Sequence, residues 1–177
     1  MRREASLPAA SSLVAVLLLS PVARADVLQS APGGFAIQQR VVVALKPEKA
    51  WTRLGRVQEW WDPKHTYSGA SRNLSLRLSP GGCFCEKLGP DGFVKHMEVV
   101  LARPREQLRL IGGLGPLQEL GVSGALTFDL APKEGGTEVT ITYRVSGSST
   151  DGLDKLAAVV DQVLGEQLKR YAAPATR

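Results

Sequence analysis

Between Trp60 and Glu86 the chain reads WWDPKHTYSGASRNLSLRLSPGGCFCE. Two adjacent tryptophans, His65, Tyr67, Cys83 and Cys85 fall within this one stretch. Indole rings offer flat apolar area with an N–H donor, imidazole and phenol offer orienting polar groups, and thiols oxidise or bind soft metals. That mixture suits the lining of a pocket for an amphipathic molecule better than a plain core. His96 follows just after the turn signal Gly89-Pro90-Asp91-Gly92, and a glycine-rich segment runs from Gly112 to Leu120.

Cys83 and Cys85 stand two apart on an expected strand, so their side chains share a face. With the hairpin centred on Pro90-Asp91, Cys85 pairs with His96 and Cys83 with Glu98, which gathers two thiols, an imidazole and a carboxylate on one patch. Four chemistries fit. The cysteines can be small apolar wall residues beside a hydrogen-bonded His96. They can form a disulfide, near the upper limit of Cα separation for extended residues two apart. Cys83, Cys85 and His96, with His65, are also candidate ligands for zinc or copper(I). Lastly, His96 can activate a cysteine nucleophile, although nothing marks an oxyanion hole. C-x-C is not the usual zinc spacing and no second cysteine pair exists, so no metal or other cofactor is expected.

Trp60 and Trp61 cannot both face the core from one short helix, so either at least one borders the cavity or its mouth, or the pair caps the end of the core. His65 and Tyr67, in the loop after Pro63, are either orienting groups or surface residues. Gly112-Gly113-Leu114-Gly115-Pro116 lacks the Gly-Lys-Ser/Thr ending of a phosphate loop. It reads as a lid over the cavity or as a turn at the sheet edge. Glu86 beside Lys87 is either a solvated pair or, if turned inward, a candidate acid or base.

The elements that must position these residues follow from periodicity. Asp26 to Gly34 reads as a loose lead-in ending in Pro32-Gly33-Gly34. Phe35 to Leu45 alternates as a strand, with Phe35, Ile37, Val41, Val43 and Leu45 on one face. Pro47 opens a short helix, and a second short turn covers Glu59 to Trp61 and stops at Pro63. About six strands follow, up to Thr137–Val145 (TEVTITYRV), the cleanest alternation in the chain. A long helix closes the chain, with Asp151 as a candidate N-cap. Leu153, Leu156, Ala157, Val160, Val163 and Leu164 run along its apolar stripe, which continues through Leu168 and Tyr171. The expected fold is α+β: a curved antiparallel sheet of six to seven strands around a long C-terminal helix, with two short helices after the first strand. A single helix laid across a curled sheet leaves a cavity.

The N-terminus has the features of an export signal. Arg2 and Arg3 precede the apolar run Leu13–Leu19, and Ala23-Arg24-Ala25 is an A-x-A cleavage pattern, so the mature chain is expected to start at Asp26. A retained N-terminal anchor is the alternative. Glu4-Ala5-Ser6 does not continue a twin-arginine signal. Periplasmic or secreted residence is the expectation, with 26–177 as one ligand-binding domain and no membrane-spanning segment in it. The formal charge of +5 includes the leader's arginines and is otherwise scattered, without the basic block that nucleic-acid binding needs. A monomer is expected.

In element order, Phe35 to Tyr171 resembles the SRPBCC superfamily of START-like lipid-transfer domains, birch-pollen-allergen-like proteins, polyketide cyclases and chaperone-ATPase-activator-like domains. The strings WWDPKHTYSG (60–69), GGCFCE (81–86), KHMEVV (95–100) and GGLGPLQELGVSGALTF (112–128) look like an exported bacterial branch of it, which brings no activity with it. The resemblance implies a helix-grip fold and a hydrophobic or amphipathic ligand between sheet and C-terminal helix. It carries over no catalytic residue, since the superfamily shares none. Trp60, Trp61, His65, Tyr67, Cys85, His96 and Leu114 are the expected ligand-binding residues. Two other functions compete with binding. A cyclase- or hydratase-like enzyme would need His96, His65 or Glu86 inward for proton transfer. A protein-interaction module would need an exposed apolar patch and a filled cavity.

Overall fold

A computed structural model describes residues 24–174. The apolar run Leu13–Leu19, on which the expected export signal rests, lies outside the described residues, and so do the last three residues. Eight strands form one antiparallel sheet: β1 (Arg24–Ala31), β2 (Gly34–Val43), β3 (Leu74–Leu76), β4 (Cys83–Leu88), β5 (Gly92–Arg103), β6 (Gln107–Ile111), β7 (Ser123–Lys133) and β8 (Gly136–Ser146). Their order across the sheet is β1-β2-β8-β7-β6-β5-β4-β3. Helix α1 (Pro47–Gly55) and 3-10 turns at Val57–Glu59, Pro63–His65 and Ser71–Asn73 connect β2 to β3, and helix α2 (Asp154–Ala172) closes the chain. No helix among the described residues is long and apolar enough to cross a membrane. The α+β helix-grip architecture is the one expected, with one more strand than its upper count.

The additional strand is β1, which replaces the loose lead-in expected at Asp26–Gly34. It pairs antiparallel with β2 across the two-residue turn Pro32-Gly33. Asp26 to Ser30 are exposed at every position. An edge strand held by backbone pairing buries no side-chain row, so it leaves no alternation to read. The central strands do alternate. On β8, Thr137, Val139, Ile141, Tyr143 and Val145 face inward, and on β7 Gly124, Leu126, Phe128 and Leu130 do so.

Helix α2 is fixed at both ends and at points between, among them the Asp62 amide donating to the Gln167 side chain at 2.7 Å. At its start, the Leu153 amide donates to the carbonyl of Pro32 at 2.9 Å. At its end, Arg53 of α1 donates to the carbonyls of Tyr171 (2.8 Å) and Ala173 (2.9 Å), orphan acceptors of a helix C-terminus. The Tyr171 hydroxyl donates back to the carbonyl of Ala50 at 2.8 Å. Midway, buried Gln39 of β2 donates to the Asp161 carboxylate at 2.5 Å, and Gly165 lets that amide lie against the helix. Asp151 is not the N-cap. Its carboxylate accepts from the Ser148 amide, and left-handed Gly152 separates it from the first helical turn. These anchors hold α2 over β1 and β2, so the side of the helix turned toward the β3–β5 end of the sheet is left without a packing partner.

Candidate functional site

The space on that side of α2 is a cavity of about 640 Å³. Leu156, Val159, Val160, Val163 and Leu164 of α2 form one wall. Leu74 of β3, Phe84 of β4 and His96 of β5 form the opposite one. Trp61 to Tyr67 closes one side, and the segment Leu114–Leu120, folded as a 3-10 turn over Gly115–Leu120, closes another. The apolar stripe of α2 therefore does two jobs. Leu153, Ala157, Leu168 and Tyr171 belong to the core, while the residues beside them face the cavity. The charged side chains in the lining are Lys64, Glu119 and Asp151, of which Lys64 and Glu119 are exposed at the mouth.

Behind the wall lies a buried polar cluster. Glu86, 1% exposed, accepts from the Ser68 amide at 2.5 Å, the Tyr67 amide at 3.1 Å and lies 3.1 Å from His96 Nε2. This carboxylate pins the 66–69 loop to β4. Burial acts to raise its pKa, but the hydrogen bonds from Ser68, Tyr67 and His96 outweigh it and hold the group below its ordinary value. Burial pulls the His96 imidazole below its ordinary value, against the partial opposition of Glu86. The pair at neutral pH is thus a carboxylate beside a neutral imidazole. Tyr67 stacks on the His96 ring (5.9 Å, 13° between planes) and Phe84 packs at 5.2 Å. His96 Nδ1 is buried and has no hydrogen-bond partner. Chemically, the arrangement presents an oriented imidazole able to accept a hydrogen bond or a proton.

A β-bulge turns His96 inward. Phe84 pairs with Met97 and Cys85 with Lys95, so β5 carries one residue more than β4 and His96 is left unopposed. The expected pairing of Cys83 with Glu98 is present, but that of Cys85 with His96 is replaced by Cys85 with Lys95. The patch of two thiols, imidazole and carboxylate therefore does not form. Phe84 and Glu86 face inward and both cysteines face the other side of the sheet, joined to each other in a disulfide. Cys85 is not in the cavity lining. No cluster of three or more His, Cys, Asp or Glu side chains able to hold a metal occurs among the described residues.

Both tryptophans are buried in the core cluster, contrary to the expectation that they could not both face it, but of the two only Trp61 also lines the cavity. Trp60 packs on Tyr171 (5.3 Å) and donates from Nε1 to the Arg53 carbonyl at 3.0 Å, a core position away from the cavity. Trp61 packs on Phe84 (5.3 Å), donates to the His65 carbonyl at 2.9 Å and lines the cavity. His65 lies at the mouth, 3.3 Å from Glu166 of α2, and Tyr67 is half-exposed over His96. Leu114 is in the lining, and the Tyr143 hydroxyl holds its segment. That hydroxyl accepts from the Leu114 amide at 3.0 Å and donates to the Gly112 carbonyl at 3.3 Å. A Cβ on Gly124 would come within 2.7 Å of the same hydroxyl, so glycine there makes room for it. Gln118 adds a bond from its side chain to the Lys95 carbonyl at 2.7 Å, beside His96. Sequence reasoning did not single out Phe84 or Leu117. The signal for Phe84 was its place between two cysteines, on the opposite face of an alternating strand.

No protein-family model matches the chain, and no curated protein matches it. Solved structures do share its fold. A protein from Rhodobacter sphaeroides is 19% identical with a TM-score of 0.55, over 84% of this chain and 95% of that one. DynU16, from the dynemicin biosynthetic locus, is 19% identical with a TM-score of 0.54, over 77% of this chain and 45% of its own length. The di-domain ARO/CYC StfQ from the steffimycin biosynthetic pathway is 13% identical with a TM-score of 0.54, over 81% of this chain and 51% of its own. At these identities the likeness is one of fold: the chain shares an α+β helix-grip fold with these proteins.

Proposed function

We propose that this protein binds one small hydrophobic or amphipathic molecule in the cavity between α2 and the β3–β5 end of the sheet. The observation that carries the reading is the cavity itself: about 640 Å³, walled by aliphatic and aromatic side chains with a few polar groups among them. This is the size and character of a small-molecule site. An interaction module calls instead for a small or filled cavity. A ligand burying about 300 Å² of apolar surface gains roughly 7 kcal/mol before the entropy of binding is subtracted. Sequestration or carriage follows, with the polar groups of the cavity setting orientation. The fold neighbours from biosynthetic systems are compatible with this reading and with turnover of the bound molecule.

Export belongs to the same proposal. Cleavage after Ala25 would leave β1 from Asp26 onward, still paired with β2 from Gln38 to Gly34. Native mass spectrometry of protein purified from an exporting host tests both parts. The expected result is a chain starting at Asp26 with an adduct of a few hundred daltons, lost on denaturation. Titration with an apolar fluorophore gives the second readout, and Trp61→Ala weakens that binding about tenfold. A bare chain that also fails to bind any apolar fluorophore saturably would sink the reading.

A further inference from the structure

We infer that the occupant of this cavity is an uncharged molecule carrying a hydrogen-bond donor, a hydroxyl, phenol or amide N–H, that reaches Nδ1 of His96. The inference rests on the binding reading above and names the class of ligand for the same site. Glu86 is the reason for the polarity of the imidazole. Its two oxygens already accept from the Tyr67 and Ser68 amides, which marks it as an ionised acceptor. The hydrogen of a neutral imidazole 3.1 Å away therefore sits on Nε2 and points at Glu86. Nδ1 is left with a lone pair, unpartnered and almost wholly buried, in a residue whose ring lines the cavity beneath the stacked, half-exposed Tyr67, so a donor reaches it as the Tyr67 ring gives way. A buried acceptor without a partner is unfavourable, and a ligand that donates to it removes the deficit on binding.

The charges around the cavity disfavour the obvious alternative, a fatty acid or other carboxylate. The lining holds one cation, Lys64, exposed at the mouth, against Glu119 and Asp151, with Glu86 behind His96. An anion placed beside His96 would meet a lone pair and a carboxylate, and an ether or ketone would set one acceptor against another.

Three pyrenes of matched shape test this: 1-hydroxypyrene, 1-methoxypyrene and pyrene-1-carboxylate, titrated by fluorescence at pH 7. The expected order is hydroxyl tightest by about tenfold over methoxyl, with the carboxylate weakest. In His96→Phe the hydroxyl advantage disappears while 1-methoxypyrene still binds. If that variant does not fold, the wild-type series decides, together with the ¹⁵N signal of His96 Nδ1, which shifts upfield with 1-hydroxypyrene and stays in place with 1-methoxypyrene. Equal binding of hydroxyl and methoxyl probes, or tightest binding of the carboxylate, overturns the inference but leaves the binding site standing. Failure of all three to bind removes the binding reading and the inference with it.

Discussion

Glu86 and His96 show how one carboxylate can organise both a loop and a ring. Glu86 takes the amides of residues 67 and 68 and fixes the imidazole hydrogen on Nε2. Both groups are held below their ordinary pKa values, so in acid the unfolded chain takes up protons that the folded one refuses. The sign follows directly. The contribution of His96 is complete above about pH 6.5 and declines below it, and that of Glu86 is complete above about pH 4.3 and declines below that. Urea midpoints measured from pH 7.5 to 4 should fall with acidity, and the double variant Glu86→Gln, His96→Phe should flatten the slope. A slope unchanged in the double variant would assign the acid sensitivity elsewhere. Burial and inward orientation of these two residues were not legible from their types. Glu86 beside Lys87 reads as a solvated pair, and only the loop that crosses over it makes a buried carboxylate tolerable.

Two elements set the walls, and each depends on a specific side-chain link. The Gly112–Leu120 segment hangs on the hydroxyl of Tyr143, a group whose pKa burial pushes up to about 12. Tyr143→Phe removes both bonds, costing about 1–2 kcal/mol. Hydrogen exchange at the Leu114 amide should accelerate in that variant, with core amides of β8 little changed. The second link is the disulfide. Cys83 and Cys85 lie 5.3 Å apart at Cα, shorter than the roughly 6.4–6.8 Å of two extended residues. That contraction of β4 falls where β5 carries the extra residue that turns His96 inward. Reduction should lower stability by only about 1–2 kcal/mol, because the closed loop is short. It should also shift the His96 ring resonances, where a merely structural crosslink would leave them unmoved. The strand pair and its turn were readable from Gly89-Pro90-Asp91-Gly92, but the bulge was not. A one-residue offset has no compositional mark, and it sends the cysteines and His96 to opposite faces.

For the molecule as a whole, the cavity is a consequence of where α2 is fastened. Its ends are tied to the β1–β2 turn and to α1, and its middle rests on Gln39. The strands it packs against are chiefly β1 and β2. Filling the gap by mutation should therefore remove binding without cost to the fold. Val160→Trp is expected to abolish saturable binding of 1-hydroxypyrene while its thermal midpoint stays within a few degrees of the parent, since the added ring occupies empty apolar space. Retained binding would place the ligand elsewhere on the protein.

The fold class was determined by the sequence alone, because alternation at period two and the 3.6-residue stripe of the last helix are local properties that each segment declares by itself. Of the residues expected at the site, Trp61, His65, Tyr67, His96 and Leu114 line the cavity, whereas Trp60 and Cys85 do not. The tertiary structure decided what depends on register and on contacts between remote segments. It added β1, whose exposed residues carry no pattern. It sent Trp60 to the core against Tyr171 and kept Trp61 at the wall, a choice that adjacent identical residues cannot express. It moved Cys83 and Cys85 to the outer face and left one lone pair of His96 buried without a partner. Side-chain type states what a residue is able to do; the bulge, the crossing loop and the anchored helix determine which atom is left to do it.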